Sequence, residues 1–339
     1  MACVRGVRVI PVLSACQGLK TCLSKLIPLV EFKEIDPVCF HYYLEVKEDL
    51  SILKASEIII CDPEGICPYL YELTNTKWIQ GTWAGVEVYK KYIDISKPKL
   101  PFQITRFSGP SAFGYRMGEY LISQIVMHER ELIKVRQNQM KKLWSREGKI
   151  MNHRSLADLT VGVLGLGAIG KEIAHILKVF NAKVWVLIRS APSGSGKLAC
   201  VDEFRKIEEL PELLSSCDYV CNVLPSTSET IGILGNGMLK NCQRKGTVFV
   251  NIGRGSIISE RELIEALDKE WISGAILDVF EEEPLSPTSP LWSMPQVSIT
   301  PHVSGVTNAQ DVAQLFAKNL KHYDSGLPLE YVYDPEKEY

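Results

Sequence analysis

The chain has 339 residues, more than the roughly 250 to 300 at which a single hydrophobic core stops growing, so more than one domain is expected. Apolar residues make up 46% and charged residues 23%, which excludes both a membrane-embedded and a disordered chain by composition. Lysine and arginine number 38 against 40 acids, and this balance leaves no overall positive field to attract a nucleic acid.

The first thirty residues carry Arg5, Arg8, Lys20 and Lys25 with no acid before Glu31, a balance like that of a transit peptide. The β-branched run Val7–Leu13 instead reads as the first buried strand of a domain. Strand-like runs at Ile58–Asp62, Trp78–Thr82 and Phe102–Thr105 alternate with helix-compatible stretches such as Leu50–Ala55, which predicts a first α/β region around a small parallel sheet. ISKPKL at Ile95–Leu100, then Pro101 and Gly109-Pro110, favours extended or turned backbone and marks a hinge. Met117–Trp144 carries Leu121, Ile125, Leu132 and Met140 at near-helical spacing, predicting one long helix and a candidate oligomer contact. From Val161 onward, strands are predicted at Val161–Leu164, Val184–Ile188, Tyr219–Leu224, Thr247–Asn251, Ala275–Asp278 and Val297–Thr300 with helices between most of them, the pattern of a doubly wound sheet. After Asn308 a helix through Lys321 and an extended end are expected to return to the first region. The ten cysteines contain no CxxC pair, which indicates reduced thiols and a cytoplasmic protein with neither a zinc site nor thiol catalysis. No apolar run approaches the length of a membrane span.

VGVLGLGAIG sets Gly165, Gly167 and Gly170 in G-x-G-x-x-G spacing, after an apolar strand and at the start of a helix over Lys171–Phe180. The first glycine permits a tight turn, the second lets a pyrophosphate approach the backbone, and the third lets helix pack on strand, so Gly165, Gly167, Ala168, Ile169 and Gly170 form a dinucleotide cradle. Cofactor choice is read at the end of the next strand, where an acid would bind the adenosine ribose and an arginine a 2′-phosphate. Here stand Arg189 and Ser190, with Ser193 and Lys197 nearby, which favours NADP(H) over NAD(H), the latter remaining open. Gly196-Lys197 resembles the end of a P-loop, but Leu198 and Ala191 occupy the positions that need Ser/Thr and Gly, so no nucleoside triphosphate site is expected.

Ligands in open parallel sheets lie beyond the carboxyl ends of the strands. There the chain delivers Leu224-Pro225, Gly253-Arg254-Gly255, Glu281-Glu282-Glu283-Pro284 and Pro301-His302. A guanidinium fork for a carboxylate, with a His–carboxylate pair for proton transfer, suits an anionic carbonyl substrate. His41, His128, His153, His175 and His322 fall in no such constellation.

With these motifs, and with WIQGTWAGVE at Trp78–Glu87, VLPSTSET at Val223–Thr230, NIGRG at Asn251–Gly255, LDVFEEEP at Leu277–Pro284 and SPLW to TPHVSG over Ser289–Gly305, the chain resembles the D-isomer-specific 2-hydroxyacid dehydrogenase family, and most closely its glyoxylate/hydroxypyruvate reductase branch. The resemblance implies two doubly wound α/β domains, a flavodoxin-like substrate (catalytic) domain over 1–101 and 309–339 and a Rossmann NAD(P)-binding domain over 102–308. It implies that Arg254 binds the substrate carboxylate and 2-oxo group, that His302 donates a proton to the oxo oxygen, and that Glu283, five positions after the cofactor-contacting Asp278, pairs with His302, leaving Glu281 and Glu282 solvated. A carboxylate neighbour raises a histidine pKa and keeps the acid form near neutral pH. The main-chain N–H groups around Ala84 and Gly85 match the family's second carboxylate anchor, in a cleft that closes on binding. Leu224, Pro225, Thr230, Ile252 and Gly305 match cofactor contacts, and Trp83, Tyr42, Asp62 and Trp292 are candidate pocket walls. A homodimer acting on a small 2-oxo or 2-hydroxy acid is implied. The alternative from another class is a nucleotide-sensing scaffold like the superfamily's corepressor branch, which keeps the same three residues; a formate dehydrogenase fits less well, because Glu283 stands where that relative has glutamine.

Overall fold

The computed structural model describes residues 7–36, 47–94, 96–189, 198–336 and 338. The chain divides into two compact units, one of Met1–Ala112 with Thr307–Tyr339 and one of Phe113–Val306.

The first unit is a five-stranded parallel sheet of β1 (Arg8–Leu13), β2 (Val30–Ile35), β3 (Ile58–Cys61), β4 (Trp78–Gly81) and β5 (Gln103–Thr105) in the order β2-β1-β3-β4-β5. This is the flavodoxin-like winding, with its switch point between β1 and β3. β3 and β4 are buried along their whole length, as strands covered on both faces must be. β2 lies at the edge and buries only Phe32 and Ile35, which is why its charged sequence VEFKEI hides a strand. β5 pairs with β4, so the chain leaves the first unit only after Ala112, beyond the position 101 that the proline-rich stretch suggests. Pro101 sits before the strand, where its missing N–H costs no ladder bond.

The chain returns to this unit through the helix Ala309–Asp324, capped by Asn308, whose side chain accepts from the N–H groups of Gln310 and Asp311. Phe316 stacks on Trp78 at a centroid distance of 5.0 Å, and both are fully buried. Asn319 is also buried and meets its hydrogen-bonding demand with Gln80 and with both main-chain groups of Glu330. Val332 then bridges Thr105 in antiparallel fashion.

The second unit is a seven-stranded parallel sheet of β6 (Thr160–Leu164), β7 (Lys183–Leu187), β8 (Glu203–Arg205), β9 (Tyr219–Asn222), β10 (Val248–Asn251), β11 (Gly274–Leu277) and β12 (Val297–Ile299), in the order β12-β11-β10-β9-β6-β7-β8. Read from β8, this is the Rossmann winding extended by one strand, and its switch point falls between β6 and β9. The predicted long helix is instead two, Tyr115–Glu129 and Leu132–Met140, parted by Glu131 at φ 46°. Gly118 lets the first pack closely on the helix Ala168–Val179, since a Cβ there would lie 2.3 Å from Ile176 Cδ1. The break follows Glu129, which is buried and held by Arg154 Nη2 at 2.7 Å and by the Tyr219 hydroxyl at 2.8 Å. Burial would raise its carboxyl, but those bonds outweigh it and the pKa falls below the ordinary value. The second helix buries none of its residues. No helix among the described residues is long and apolar enough to cross a membrane.

Candidate active site

At the β6–β9 switch point the glycines fall where a dinucleotide would need them. Gly165 follows β6 at φ 107°, a backbone that side chains rarely adopt. A Cβ on Gly170 would lie 2.0 Å from the Gly165 carbonyl oxygen, so only glycine lets the helix Ala168–Val179 start so close to the strand. Gly167, the residue before that helix, is different: it is exposed, and a Cβ there would meet nothing within 4 Å. Its lack of a side chain serves no protein neighbour and leaves room for a ligand at the helix N-terminus. These residues therefore fit a bound pyrophosphate, with Ala168 and Ile169 in the first helical turn supplying main-chain N–H groups.

Beyond β9, Leu224 and Pro225 are half-buried, and the Thr230 hydroxyl is spent inside their loop, donating to the Pro225 carbonyl at 2.6 Å and accepting from the Thr227 N–H. Arg189 lies just past β7, exposed, with Nη1 3.6 Å from Glu229, a partner that the sequence does not single out. Ser190, Ser193, Lys197 and Tyr42 lie outside the described residues. Ile252 is buried, which leaves only its main chain to a ligand. Gly305 lets its turn approach the helix Tyr115–Glu129, because a Cβ there would stand 3.0 Å from Met117 and Phe113.

Arg254 leaves β10 on a turn built by two asparagines. Asn222 donates to Asn251 Oδ1 at 2.8 Å, and both side-chain amides reach the Arg254 carbonyl, at 3.4 and 3.1 Å. Both are buried, so the pair must satisfy itself and in doing so fixes the turn. The flanking glycines are steric requirements: a Cβ on Gly253 would be 2.9 Å from Val223 Cα, and one on Gly255 would be 1.8 Å from the Phe280 carbonyl oxygen. The second contact lays the Arg254 loop on the loop that carries Glu283. Arg254 Nη1 donates to the Gly253 carbonyl at 2.7 Å.

His302 and Glu283 meet directly, Nδ1 to Oε2, at 2.7 Å. The other Glu283 oxygen accepts the Phe280 N–H at 3.0 Å. His302 sits at φ 52°, a sparsely populated conformation that costs on the order of 1 kcal/mol and must be held from outside. Asp278, fully buried, holds it: its carbonyl accepts the His302 N–H at 2.9 Å, and its carboxylate accepts from Val303 N and Ser304 N and from the Thr300 hydroxyl, itself bonded to Tyr120. The bond to Glu283 raises the His302 pKa above its ordinary value against the opposing effect of burial. Burial would raise the Glu283 carboxyl, but the bonds from His302 and Phe280 outweigh it and the pKa is lowered. The Arg254 charge acts on both groups, stabilising carboxylate and opposing imidazolium. His302 Nε2 makes no hydrogen bond among the described residues and the side chain is 52% exposed, so it can face a ligand and exchange protons with water.

Of the neighbouring acids, Glu281 is not merely solvated. Its carboxylate accepts the Glu260 N–H at 2.9 Å and so caps the helix Glu260–Asp268. Trp292 is exposed and donates to the Ser286 carbonyl. Ala84 and Gly85 belong to the first unit, half-buried on the bend after β4 beside Trp83. Asp62, also in the first unit, is buried and is no wall residue.

Residues 122–304 match the profile of the D-isomer specific 2-hydroxyacid dehydrogenase NAD-binding domain. Among solved structures, the chain is similar to a D-isomer specific 2-hydroxyacid dehydrogenase family protein of Aeromonas salmonicida, at 29% identity and a TM-score of 0.82 over 97% of this chain and 99% of that one. It is similar to the NADPH-dependent glyoxylate/hydroxypyruvate reductase of Sinorhizobium meliloti solved with NADP and sulfate, at 26% identity and 0.80 over 98% and 100%. A D-isomer specific 2-hydroxyacid dehydrogenase of Xanthobacter autotrophicus, solved with NADPH and MES, is similar at 26% identity and 0.81 over 98% and 99%.

Proposed function

Because the chain belongs to the D-isomer-specific 2-hydroxyacid dehydrogenase family, we propose that it is an NADPH-dependent reductase converting a small 2-oxo acid, of the glyoxylate or hydroxypyruvate type, to its D-2-hydroxy acid. The observation that carries this reading is the 2.7 Å His302–Glu283 pair in the field of Arg254, in the same unit as the glycine cradle. The bound dinucleotide supplies the hydride that reaches the carbonyl carbon.

The Arg254 guanidinium binds the substrate carboxylate and polarises the 2-oxo oxygen. Protonated His302 gives its Nδ1 proton to the bond with Glu283 and its Nε2 proton to the oxo oxygen. As the carbonyl carbon gains the hydride, the Nε2 proton moves onto that oxygen, so hydride plus proton turn C=O into CH–OH and leave neutral imidazole still bonded through Nδ1 to Glu283. Water reprotonates the exposed ring. A positioned acid of this kind contributes on the order of 10²- to 10⁴-fold in rate. The Ala84 and Gly85 N–H groups, in the first unit, are proposed as donors to a carboxylate.

The preference for NADPH rests on Arg189, with no acid described at that strand end, and on the NADP and NADPH found in the similar reductase and dehydrogenase. The test is loss of nicotinamide absorbance from NADPH and from NADH with glyoxylate, hydroxypyruvate, pyruvate and 2-oxoglutarate. NADPH-selective reduction of one acid is the expected result. Binding of NADPH without oxidation by any of them would overturn the proposal in favour of a nucleotide-sensing scaffold.

A further inference from the structure

We infer that Asp62 is a positioning residue for the substrate, its carboxylate fixing the backbone that presents the Ala84 and Gly85 N–H groups. The inference rests on the proposed role of those two groups as carboxylate donors.

Asp62 follows β3 at the carboxyl edge of the first sheet. The β2-β1-β3-β4-β5 order puts the switch point between β1 and β3, where diverging loops ordinarily leave a crevice. Here one side chain closes it. Asp62 is 8% exposed; its Oδ1 accepts the Ser14 hydroxyl at 2.5 Å and the Thr82 hydroxyl, and its Oδ2 accepts the Ala15 N–H at 2.7 Å. The carboxylate thus joins the loop after β1 to the loop after β4, and the three donors satisfy a group that would be costly to bury unpaired.

From Thr82 the order passes along the main chain. Its N–H donates to the Cys61 carbonyl at 3.1 Å, its carbonyl accepts the Thr307 hydroxyl at 3.3 Å, and the Trp83 carbonyl accepts the Phe107 N–H at 2.9 Å. A trans peptide is planar, with C=O and N–H directed oppositely. Anchoring the Trp83 carbonyl therefore sets the direction of the Ala84 N–H. Neither the Ala84 nor the Gly85 N–H donates to any group among the described residues. The bonds around Thr82 and Trp83 thus set the direction of the Ala84 N–H, the Gly85 N–H follows it in the same bend, and Asp62 is the hub of that support.

Asp62→Asn tests this, because it leaves one acceptor oxygen where the carboxylate offers two and removes the charge that draws the Ser14 and Thr82 hydroxyls and the Ala15 N–H together. With saturating NADPH and glyoxylate as the varied substrate, KM should rise about tenfold or more while kcat stays within about threefold, the signature of weakened substrate placement. The NADPH dissociation constant should be unchanged, because the cradle lies in the other unit. Thr82→Val should raise KM in the same sense, and Thr82→Ser, which restores the hydroxyl, should recover it, so the inference survives a misfolded Asn variant. Amide exchange of Ala15, Thr82 and Phe107, whose N–H groups are bonded in this network, should quicken in Asp62→Asn while that of Trp78–Gly81 does not. A KM unchanged in both variants, an equal loss of NADPH affinity, or unaltered exchange at Ala15, Thr82 and Phe107 would overturn the inference. If the wild-type protein reduces no 2-oxo acid, the proposed function fails on its own, and the exchange measurement still decides the role of Asp62.

Discussion

The proton delivery proposed for His302 would depend on a histidine held in a conformation that it would not choose. Asp278 donates nothing to the chemistry directly; with all its oxygens committed to residues 300–304, it supports the φ 52° turn of His302. Removing the acid itself is the sharpest test: His302→Ala should cost about 10²- to 10⁴-fold in kcat and leave NADPH binding intact, whereas turnover near the wild-type rate would remove His302 from the mechanism. Glu283 sets the pH window. Reduction needs imidazolium, which is populated below the His302 pKa, and that pKa lies above its ordinary value of 6.5 because of Glu283. Rate should hold through neutral pH and fall as pH climbs through the raised value. In Glu283→Gln the raising bond is lost while burial and the Arg254 charge still depress the histidine, so the alkaline limb of kcat/KM should move to lower pH; an unmoved limb would assign it to another group. The groups proposed to react were readable in the sequence as candidates because Arg, Glu and His carry their chemistry in their type and stand at strand ends. Asn222 and Asn251 were not, since a buried amide pair leaves no mark in a single sequence beyond two asparagines closing two strands.

Among the elements, the turn after β6 separates two jobs of glycine that look alike in sequence. Gly170 is required by the protein, because its Cβ would collide with the Gly165 carbonyl at 2.0 Å. Gly167 has open space and an ordinary φ of −72°, so its requirement comes from the ligand. Gly170→Ala should lower stability by about 1–3 kcal/mol, the usual cost of overpacking, measured by denaturant unfolding. Gly167→Ala should keep wild-type stability yet weaken NADPH binding, read by quenching of protein fluorescence. If both variants behave alike, the distinction fails. The fully buried strands, as apolar runs, and the capped helix Ala309–Asp324 were visible in the sequence. The edge strands β2 and β8 were not, one because half its residues face water and the other because its three residues, Glu203–Arg205, carry two charges and no apolar run. The break after Glu129 was hidden for a related reason: its carboxylate reads as solvent-facing until Arg154 and Tyr219 are seen around it. The helix beyond the break leaves Leu132, Ile133 and Met140 exposed, with Trp144 at 92% just after it, and the homodimer that the family resemblance implies would use this apolar stretch. Light scattering should give twice the chain mass for the wild type and a shift toward the single-chain mass for a combined Ile133→Ser, Trp144→Ser variant; an unshifted mass would move the interface elsewhere.

For the molecule as a whole, the two sheets differ in winding, and the difference assigns their work. Each has its own core, one around Leu13, Ile59, Ile79 and Ile104 and one around Leu164, Val220, Phe249 and Leu277, so each has its own stability. A chain of two such units need not unfold in one step, and a single melting temperature would blur where a ligand acts. Hydrogen exchange resolves it. The cradle lies wholly within Phe113–Val306, so NADPH at about 100 times its dissociation constant should stabilise that unit by about 2.7 kcal/mol, slowing amide exchange in β6, β9, β10 and the helix Ala168–Val179 by up to about a hundredfold, while β1 and β3 of the first sheet change far less. NADH at the same concentration should protect the second unit less, and Arg189→Asp should narrow or invert that difference, since the guanidinium is the group assigned to the 2′-phosphate. Equal protection by the two nucleotides in the wild-type protein would remove Arg189 as the selector; protection by neither would remove the cradle itself, and the reductase reading with it.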